Sequence, residues 1–84
     1  MNILFEELAM EEKILKICKM VNSEIEYDSQ GLIEKGVIDS FGFISLIALL
    51  EEEFMVELDL EQWGIECFNS VDTIVEMMKT QVKE

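Results

Sequence analysis

An aspartate and a serine, Asp39 and Ser40, stand directly before an apolar helical stretch, and they are the residues of this sequence best placed to take part in chemistry. Both residue types are favoured at the first positions of a helix. There a serine hydroxyl lies beside unpaired backbone N–H groups and the positive end of the helix dipole. This setting suits a serine that carries a phosphodiester, with Asp39 helping to hold a divalent metal for a modifying enzyme. The alternative is that the pair only caps the helix.

The helix that follows Ser40 is more apolar than one core face requires. Phe41, Ile44 and Ala48 recur at i, i+3 and i+7, beginning beside the serine. We predict that this stripe points away from the core and binds a partner, although a helix buried on two sides is the alternative. The predicted acidic flank of the stripe, for basic partners, consists of Glu51, Glu52 and Glu53.

Residues for catalysis and metal binding are missing. The chain has no histidine, which excludes Ser-His and Cys-His pairs and an ordinary general base near neutral pH. Cys18 and Cys67 belong to no Cys-x-x-Cys motif, so zinc and redox sites are not expected. The acids of the Glu51–Glu53 run fan around a helix axis and cannot converge on calcium. We therefore predict that the protein is not an enzyme and has no metal site.

The charge of the chain is strongly one-sided, with nineteen acidic residues, six basic ones and a formal net charge of −13. Nucleic-acid binding needs cationic groups and is excluded, and docking on an anionic membrane is disfavoured. A basic protein surface is the expected partner, although acidity also keeps a small protein soluble. Between Gly36 and Met78 there are ten acids and no basic residue, so the apolar stripe lies in a field of one sign.

Signals for export or membrane insertion are not found. Residues 1–10 carry acids where a signal peptide needs lysines, and no apolar run reaches the roughly 18 residues of a membrane span. Both cysteines lie in apolar stretches and are predicted to be reduced core residues. We expect a cytoplasmic monomer without stable membrane insertion.

Two segments precede the serine. A first helix is predicted from about residue 3 to residue 20, and residues 22–39 form an unusually long connection. The helical stripe of the first segment consists of Ile14, Ile17, Cys18 and Val21. The apolar residues expected to pin the connection to the core are Leu32, Ile33, Val37 and Ile38.

The second half of the chain completes an all-α fold. The second helix begins at Asp39 or Ser40 and ends near Phe54, a short helix is predicted at 61–65, and the last helix begins at Asn69 or Ser70. The core stripe of the second helix consists of Phe43, Leu46, Ile47, Leu50 and Phe54. We predict one domain over residues 1–84: a four-helix bundle of three main helices and one short helix, with a long loop between helices 1 and 2.

The most distinctive stretch of the sequence runs from Leu32 to Phe54 and contains Gly-Val-Ile-Asp-Ser at 36–40. With this pattern the chain resembles the acyl carrier protein family over nearly its full length. The resemblance implies that a phosphopantetheinyl transferase uses coenzyme A and magnesium to attach a 4′-phosphopantetheine arm to Ser40, supported by Asp39. Carried groups then form thioesters with the arm. The implied partners are adenylating or acyl-loading enzymes and acyl-transferring enzymes with basic docking surfaces.

Residues after Ser40 separate subgroups of this family. Fatty-acid carriers usually have Asp-Ser-Leu-Asp, whereas this chain has Phe41-Gly42, and Ser45 stands where they place an acid. The chain is similar to discrete D-alanyl carrier proteins, which have Asp-Ser-Met-Gly, an aromatic residue at the place of Trp63 and Trp-Asn-Thr at the place of 68–70. The resemblance implies an aminoacyl or secondary-metabolite pathway. A fatty-acid or polyketide carrier and an unmodified acidic adaptor of the same fold stay open.

Overall fold

The computed structural model describes the backbone of residues 3–82 and the side chains of residues 8–82. The two ends of the predicted 1–84 domain, residues 1–2 and 83–84, lie outside the described part. The helical elements, in chain order, are α1 (Ile3–Val21), α2 (Ser40–Phe54), a 3-10 helix (Ile65–Phe68) and α3 (Val71–Val82). Residues 3–82 contain no β-strand, which confirms the all-α prediction.

Helix α1 packs against both α2 and α3 through its predicted apolar stripe. Ile14, Ile17 and Cys18 are buried, and Val21 is half-buried at the end of the helix. Burial raises the pKa of the Cys18 thiol to about 12, because the thiolate would lose its hydration there. Cys67 is half-buried and packs against the core, and both cysteines are free thiols.

Helix α2 divides its apolar residues between core and surface as predicted. Leu46 and Leu50 are fully buried, while Phe43, Ile47 and Phe54 are half-buried and pack against the core. The helix begins after the capping residue Asp39. At its other end Met55 has a left-handed backbone conformation, and its N–H donates to the Glu51 carbonyl.

The long connection between α1 and α2 is pinned from within. Leu32 and Ile38 are fully or almost fully buried, and Ile33 and Val37 are half-buried against the core, so all four predicted residues take part. Ile25 is a further, fully buried anchor that the sequence pattern did not single out.

The short helix predicted at 61–65 is wrong in position. Asp59 instead forms a turn, in which its carbonyl accepts from the Gln62 and Trp63 N–H groups. Gly64 is extended, and only then does the 3-10 helix Ile65–Phe68 begin. Phe68, the last residue of this 3-10 helix, is fully buried. The burial of its side chain places the short helix later in the chain than the local sequence pattern indicated. The described part therefore has three α-helices and a single 3-10 helix, which takes the place of the predicted short fourth helix.

Helix α3 begins where the sequence predicted, after Ser70. The Thr73 N–H donates to the Ser70 hydroxyl at 3.1 Å, and the Ser70 N–H donates to the Thr73 hydroxyl at 3.2 Å. This reciprocal cap pairs two N–H groups that the helix itself leaves without partners. The buried face of α3 consists of Val71, Ile74, Val75, Met77 and Met78. None of the helices in the described part is long and apolar enough to cross a membrane.

We expect Leu46→Ala to lower the free energy of unfolding by about 2–5 kcal/mol, because it leaves a cavity at a fully buried position. Urea denaturation followed by circular dichroism measures this change. The matched control on the same helix is Ile44→Ala, whose wild-type side chain is 65% exposed; its effect should stay within about 0.5 kcal/mol. An equal loss in both variants would contradict the division of α2 into a core stripe and an outer stripe.

Candidate functional site

Asp39 and Ser40 lie together at the beginning of α2, and both side chains are exposed. Asp39 is the N-cap: its backbone is extended, and its Oδ1 accepts the Gly42 N–H at 2.7 Å. The Asp39 carbonyl accepts the first helical hydrogen bond, from the Phe43 N–H at 2.8 Å. Ser40 is therefore the first helical residue, held at the surface by a cap on its N-terminal side.

The dipole of α2 favours a negatively charged substituent on Ser40. The first turn of α2 contains no acidic side chain, so the N-terminal N–H groups face only the Asp39 carboxylate of the cap. The positive end of the helix dipole stabilises an anion at this position. A phosphodiester on Ser40 would therefore have the Asp39 carboxylate as a neighbour but no acidic side chain from the first turn of α2.

Two hydrogen bonds hold the end of the connection just before the site. The Asn22 Nδ2 donates to the Val37 carbonyl at 3.1 Å, and the Ile38 N–H donates to the Leu32 carbonyl at 2.9 Å. Asn22 was not among the residues predicted to anchor the connection. An asparagine at the end of a helix and the start of a long loop is the signal that could have identified this anchor.

The outer stripe of α2 is exposed as predicted. Phe41 is 82% and Ile44 65% accessible, and Ala48 is also exposed. A groove runs along α2 beside Ile44 and Ala48, and Leu60 borders it. Leu60 was not predicted to belong to this surface. We call Phe41, Ile44, Ala48 and Leu60 the apolar patch.

A small pocket lies on the other flank of Ser40. It has a volume of about 250 Å³, and apolar side chains of the connection, α2 and the 3-10 helix line it together with the Asp39-Ser40 pair. Its lining consists of Ile33, Gly36, Ile38, Asp39, Ser40, Phe43 and Ile65.

The three predicted flanking acids point in different directions. The Glu51 Oε2 accepts the Leu58 N–H at 2.8 Å, which ties the segment after α2 to the helix. Glu53 forms an ion pair with Lys13 of α1 at 3.5 Å, and Glu52 is exposed. Only Glu51 also borders the groove of the apolar patch. The structure does not bring the three carboxylates onto one face.

Within residues 8–82, no group of three or more His, Cys, Asp or Glu side chains is placed to hold a metal ion.

Comparison with known proteins identifies the family. A D-alanyl carrier protein of Streptococcus uberis is 34% identical over 74 residues, which cover 86% of this chain and 94% of the relative. The chain belongs to the D-alanyl carrier protein family. D-alanyl carrier proteins of Streptococcus pyogenes serotypes M5 and M49 are each 28% identical over 71 residues, covering 82% of this chain and 90% of the relative. No family model and no solved structure matches the chain.

Membership confirms that this protein is a carrier rather than an enzyme. It agrees with the resemblance to D-alanyl carrier proteins seen in the residues after Ser40.

Gly42 has a packing role at the site. A Cβ atom on this residue would lie 2.9 Å from Cγ1 of Val21 and 3.2 Å from the Asp39 Oδ1. Both neighbours have little freedom to move, because valine is stiff at χ1 and the aspartate oxygen is held by the cap. The absence of a side chain therefore lets the end of α1 approach the first turn of α2, the turn that begins with Ser40.

We expect Gly42→Ala to lower the free energy of unfolding. Overpacking costs about 1–3 kcal/mol, which exceeds the gain of at most about 1 kcal/mol from the better helix propensity of alanine. Urea denaturation measures the difference. Ser45→Ala, at an exposed position on the same helix, is the matched control and should be neutral or slightly stabilising.

Combining Gly42→Ala with Val21→Ala should cost less than the sum of the two single changes, because the second removes the atom that the new methyl group meets. A Gly42→Ala variant more stable than wild type would show that the helices are not in close approach here.

Proposed function

We propose that this member of the D-alanyl carrier protein family carries an aminoacyl group, D-alanine, as a thioester on a 4′-phosphopantetheine arm attached to Ser40. The observation that carries the proposal is the position of Ser40: it is exposed, it is the first residue of a capped helix, and an apolar surface begins at the next residue. The relatives are named for carrying D-alanyl groups.

The residues at the site fit the arm. The Ser40 hydroxyl is at the surface, where a transferase can reach it, and the first turn of α2 supplies a positive dipole end for the phosphodiester. When bound, the arm supplies a flexible thiol that holds the carried group as a thioester. The protein itself has only to present the arm, which agrees with a sequence that contains no histidine.

Asp39 has two roles in this proposal. Its Oδ1 caps α2 through the Gly42 N–H, and this fixes the carboxylate beside Ser40. Because the side chain stays exposed, its negative charge can support the magnesium ion that the transferase uses. One group thus orients the serine and attracts the cation needed to modify it.

The packing around Ser40 favours a small cargo. Neither the pocket of about 250 Å³ beside the serine nor the groove of about 580 Å³ along Asp39, Phe41 and Gly42 is an enclosed cavity. Phe43 lines this pocket, and both Phe43 and Ile47 pack against the core instead of opening a channel into it. A D-alanyl group needs no internal cavity, whereas a long fatty-acyl or polyketide chain does if it is to be shielded from water.

The partners that fit are a phosphopantetheinyl transferase, an adenylating enzyme that loads the amino acid, and an enzyme that receives it. The apolar patch is the proposed docking surface, with a basic partner surface opposing the acidic field around it. Glu52 belongs to that field by its exposure, whereas Glu51 and Glu53 are engaged within the protein. We place the carrier in the cytoplasm as a monomer, with residues 1–84 as one domain and the 3-10 helix as the short element of a carrier-type four-helix arrangement.

The first experiment measures the mass of the intact protein after incubation with coenzyme A, magnesium and a broad-specificity transferase. We expect a gain of one phosphopantetheine in wild type and none in Ser40→Ala, because the acceptor hydroxyl is gone. The modified protein, given ATP and a D-alanine-activating enzyme, should then gain one alanyl group.

The matched control is Ser45→Ala, which removes an exposed hydroxyl from the same helix and should load like wild type. A mass gain in Ser40→Ala would show that another residue is modified. No gain in wild type, under conditions that load a control carrier, would favour an unmodified acidic adaptor. Loading by a fatty-acyl-activating enzyme but not by the D-alanine enzyme would reverse the choice of cargo.

Two variants of Asp39 separate its roles. Asp39→Asn keeps an oxygen for the Gly42 N–H and should leave stability nearly unchanged, whereas Asp39→Ala should cost about 1 kcal/mol through the lost cap. Both remove the charge, so both should slow transfer to Ser40, by roughly tenfold if one charge-assisted interaction is lost. Initial rates at fixed magnesium and urea denaturation give the two values. A wild-type transfer rate in Asp39→Asn would restrict this residue to capping.

A further inference from the structure

Asn69, between the 3-10 helix and α3, accepts three hydrogen bonds from the connection that precedes Ser40. Its backbone carbonyl accepts the Leu32 N–H at 2.8 Å. Its side-chain Oδ1 accepts the Ile33 N–H at 2.9 Å and the Glu34 N–H at 3.3 Å. One residue thus pairs three consecutive N–H groups of a segment that has neither helix nor strand to pair them.

These bonds reach the site through one more step. Leu32, whose N–H is held by Asn69, accepts the Ile38 N–H with its own carbonyl at 2.9 Å. Ile38 is almost fully buried and is followed directly by Asp39. The hydrogen bond between Leu32 and Ile38 therefore closes this segment into a loop that ends directly before the capping aspartate. Asn69 attaches that loop to the rest of the fold.

The residue before Asn69 holds the helix on the other side of the site. Phe68 is fully buried, and its ring meets the ring of Phe43 edge to face, with centroids 5.1 Å apart and planes at 88°. Such aromatic pairs add about 0.5–1.5 kcal/mol beyond the area they bury. Two consecutive residues thus hold both the segment that leads to Ser40 and the helix that begins with it.

We propose that Asn69 is a positioning residue for the modification of Ser40, a role that rests on the proposed function. Its Oδ1 keeps residues 32–38 in the single arrangement that sets Asp39 and Ser40 at the start of α2. Without this acceptor, two N–H groups lose their partner and the segment samples other arrangements. The transferase then finds the competent arrangement in only a fraction of molecules, which raises the apparent KM by the inverse of that fraction.

Asn69→Leu tests the proposal, because leucine has a similar size and offers no acceptor. We expect kcat/KM for transfer of the arm to fall roughly tenfold, carried by KM with kcat nearly unchanged, as two hydrogen bonds are lost. Asn69→Asp retains the oxygen acceptors and should stay close to wild type. Amide hydrogen exchange should accelerate at Ile33 and Ile38 in the leucine variant only.

Thr73→Val is the control for a merely structural effect. It removes the Thr73 hydroxyl that accepts the Ser70 N–H, one half of the reciprocal cap at the same junction, and it leaves the bonds between Asn69 and the connection in place. Its loss of thermal stability should resemble that of Asn69→Leu, while its kcat/KM and the exchange at Ile33 and Ile38 stay at wild-type values. Equal kcat/KM in Asn69→Leu and Thr73→Val would overturn the positioning role.

Failure of the proposed function gives a different result. If wild type takes no arm under conditions that load a control carrier, Ser40 is not the attachment site and a role for Asn69 in its modification is overturned with it. If wild type is loaded and exchange at Ile33 and Ile38 is unchanged in Asn69→Leu, the proposed function stands and the positioning role is overturned alone.

Discussion

The hydrogen bond from the Gly42 N–H to the Asp39 Oδ1, 2.7 Å long, is the interaction on which the candidate site depends. It sets the residue at which α2 begins, and so makes Ser40 the first helical residue. The bond forms next to a close approach of helices, because Gly42 leaves room for Val21 of α1. Capping and packing therefore act on the same turn, the one that begins with Ser40.

The second constraint is the connection of α1 to α2, which is long for so small a domain. A loop of this length must pair its backbone groups and bury apolar anchors to have one conformation. Ile25, Leu32 and Ile38 provide the burial, while Asn22 and Asn69 provide much of the pairing. The serine is thus exposed, although buried side chains and hydrogen bonds hold the backbone that leads to it. This combination suits a carrier, whose attachment point must be accessible and must also be found in one place.

The helices and the Asp-Ser site could be predicted because their causes are local. The stripe that contains Leu46 and Leu50 repeats with the helical period, and Asp39 is a favoured cap, so α2 was expected with its bounds and its exposed Phe41. The position of the short helix could not be predicted, since it depends on the packing of Phe68 against Phe43, two residues far apart in sequence. The directions of Glu51 and Glu53 depended likewise on Leu58 and on Lys13 of another helix.

The resemblance of the pattern around Ser40 to a known family implied a carrier, while composition, periodicity and capping by themselves determined an acidic, all-helical chain with its candidate serine at the start of the second helix. These properties follow from residue type and spacing along one segment, which are fully written in the sequence. Only the tertiary structure decided that Asn69 holds the backbone before the serine, that Gly42 meets Val21, and that Glu51 and Glu53 bond to Leu58 and Lys13. Each of these joins residues from separate elements, and their distances arise only when the core brings those elements together.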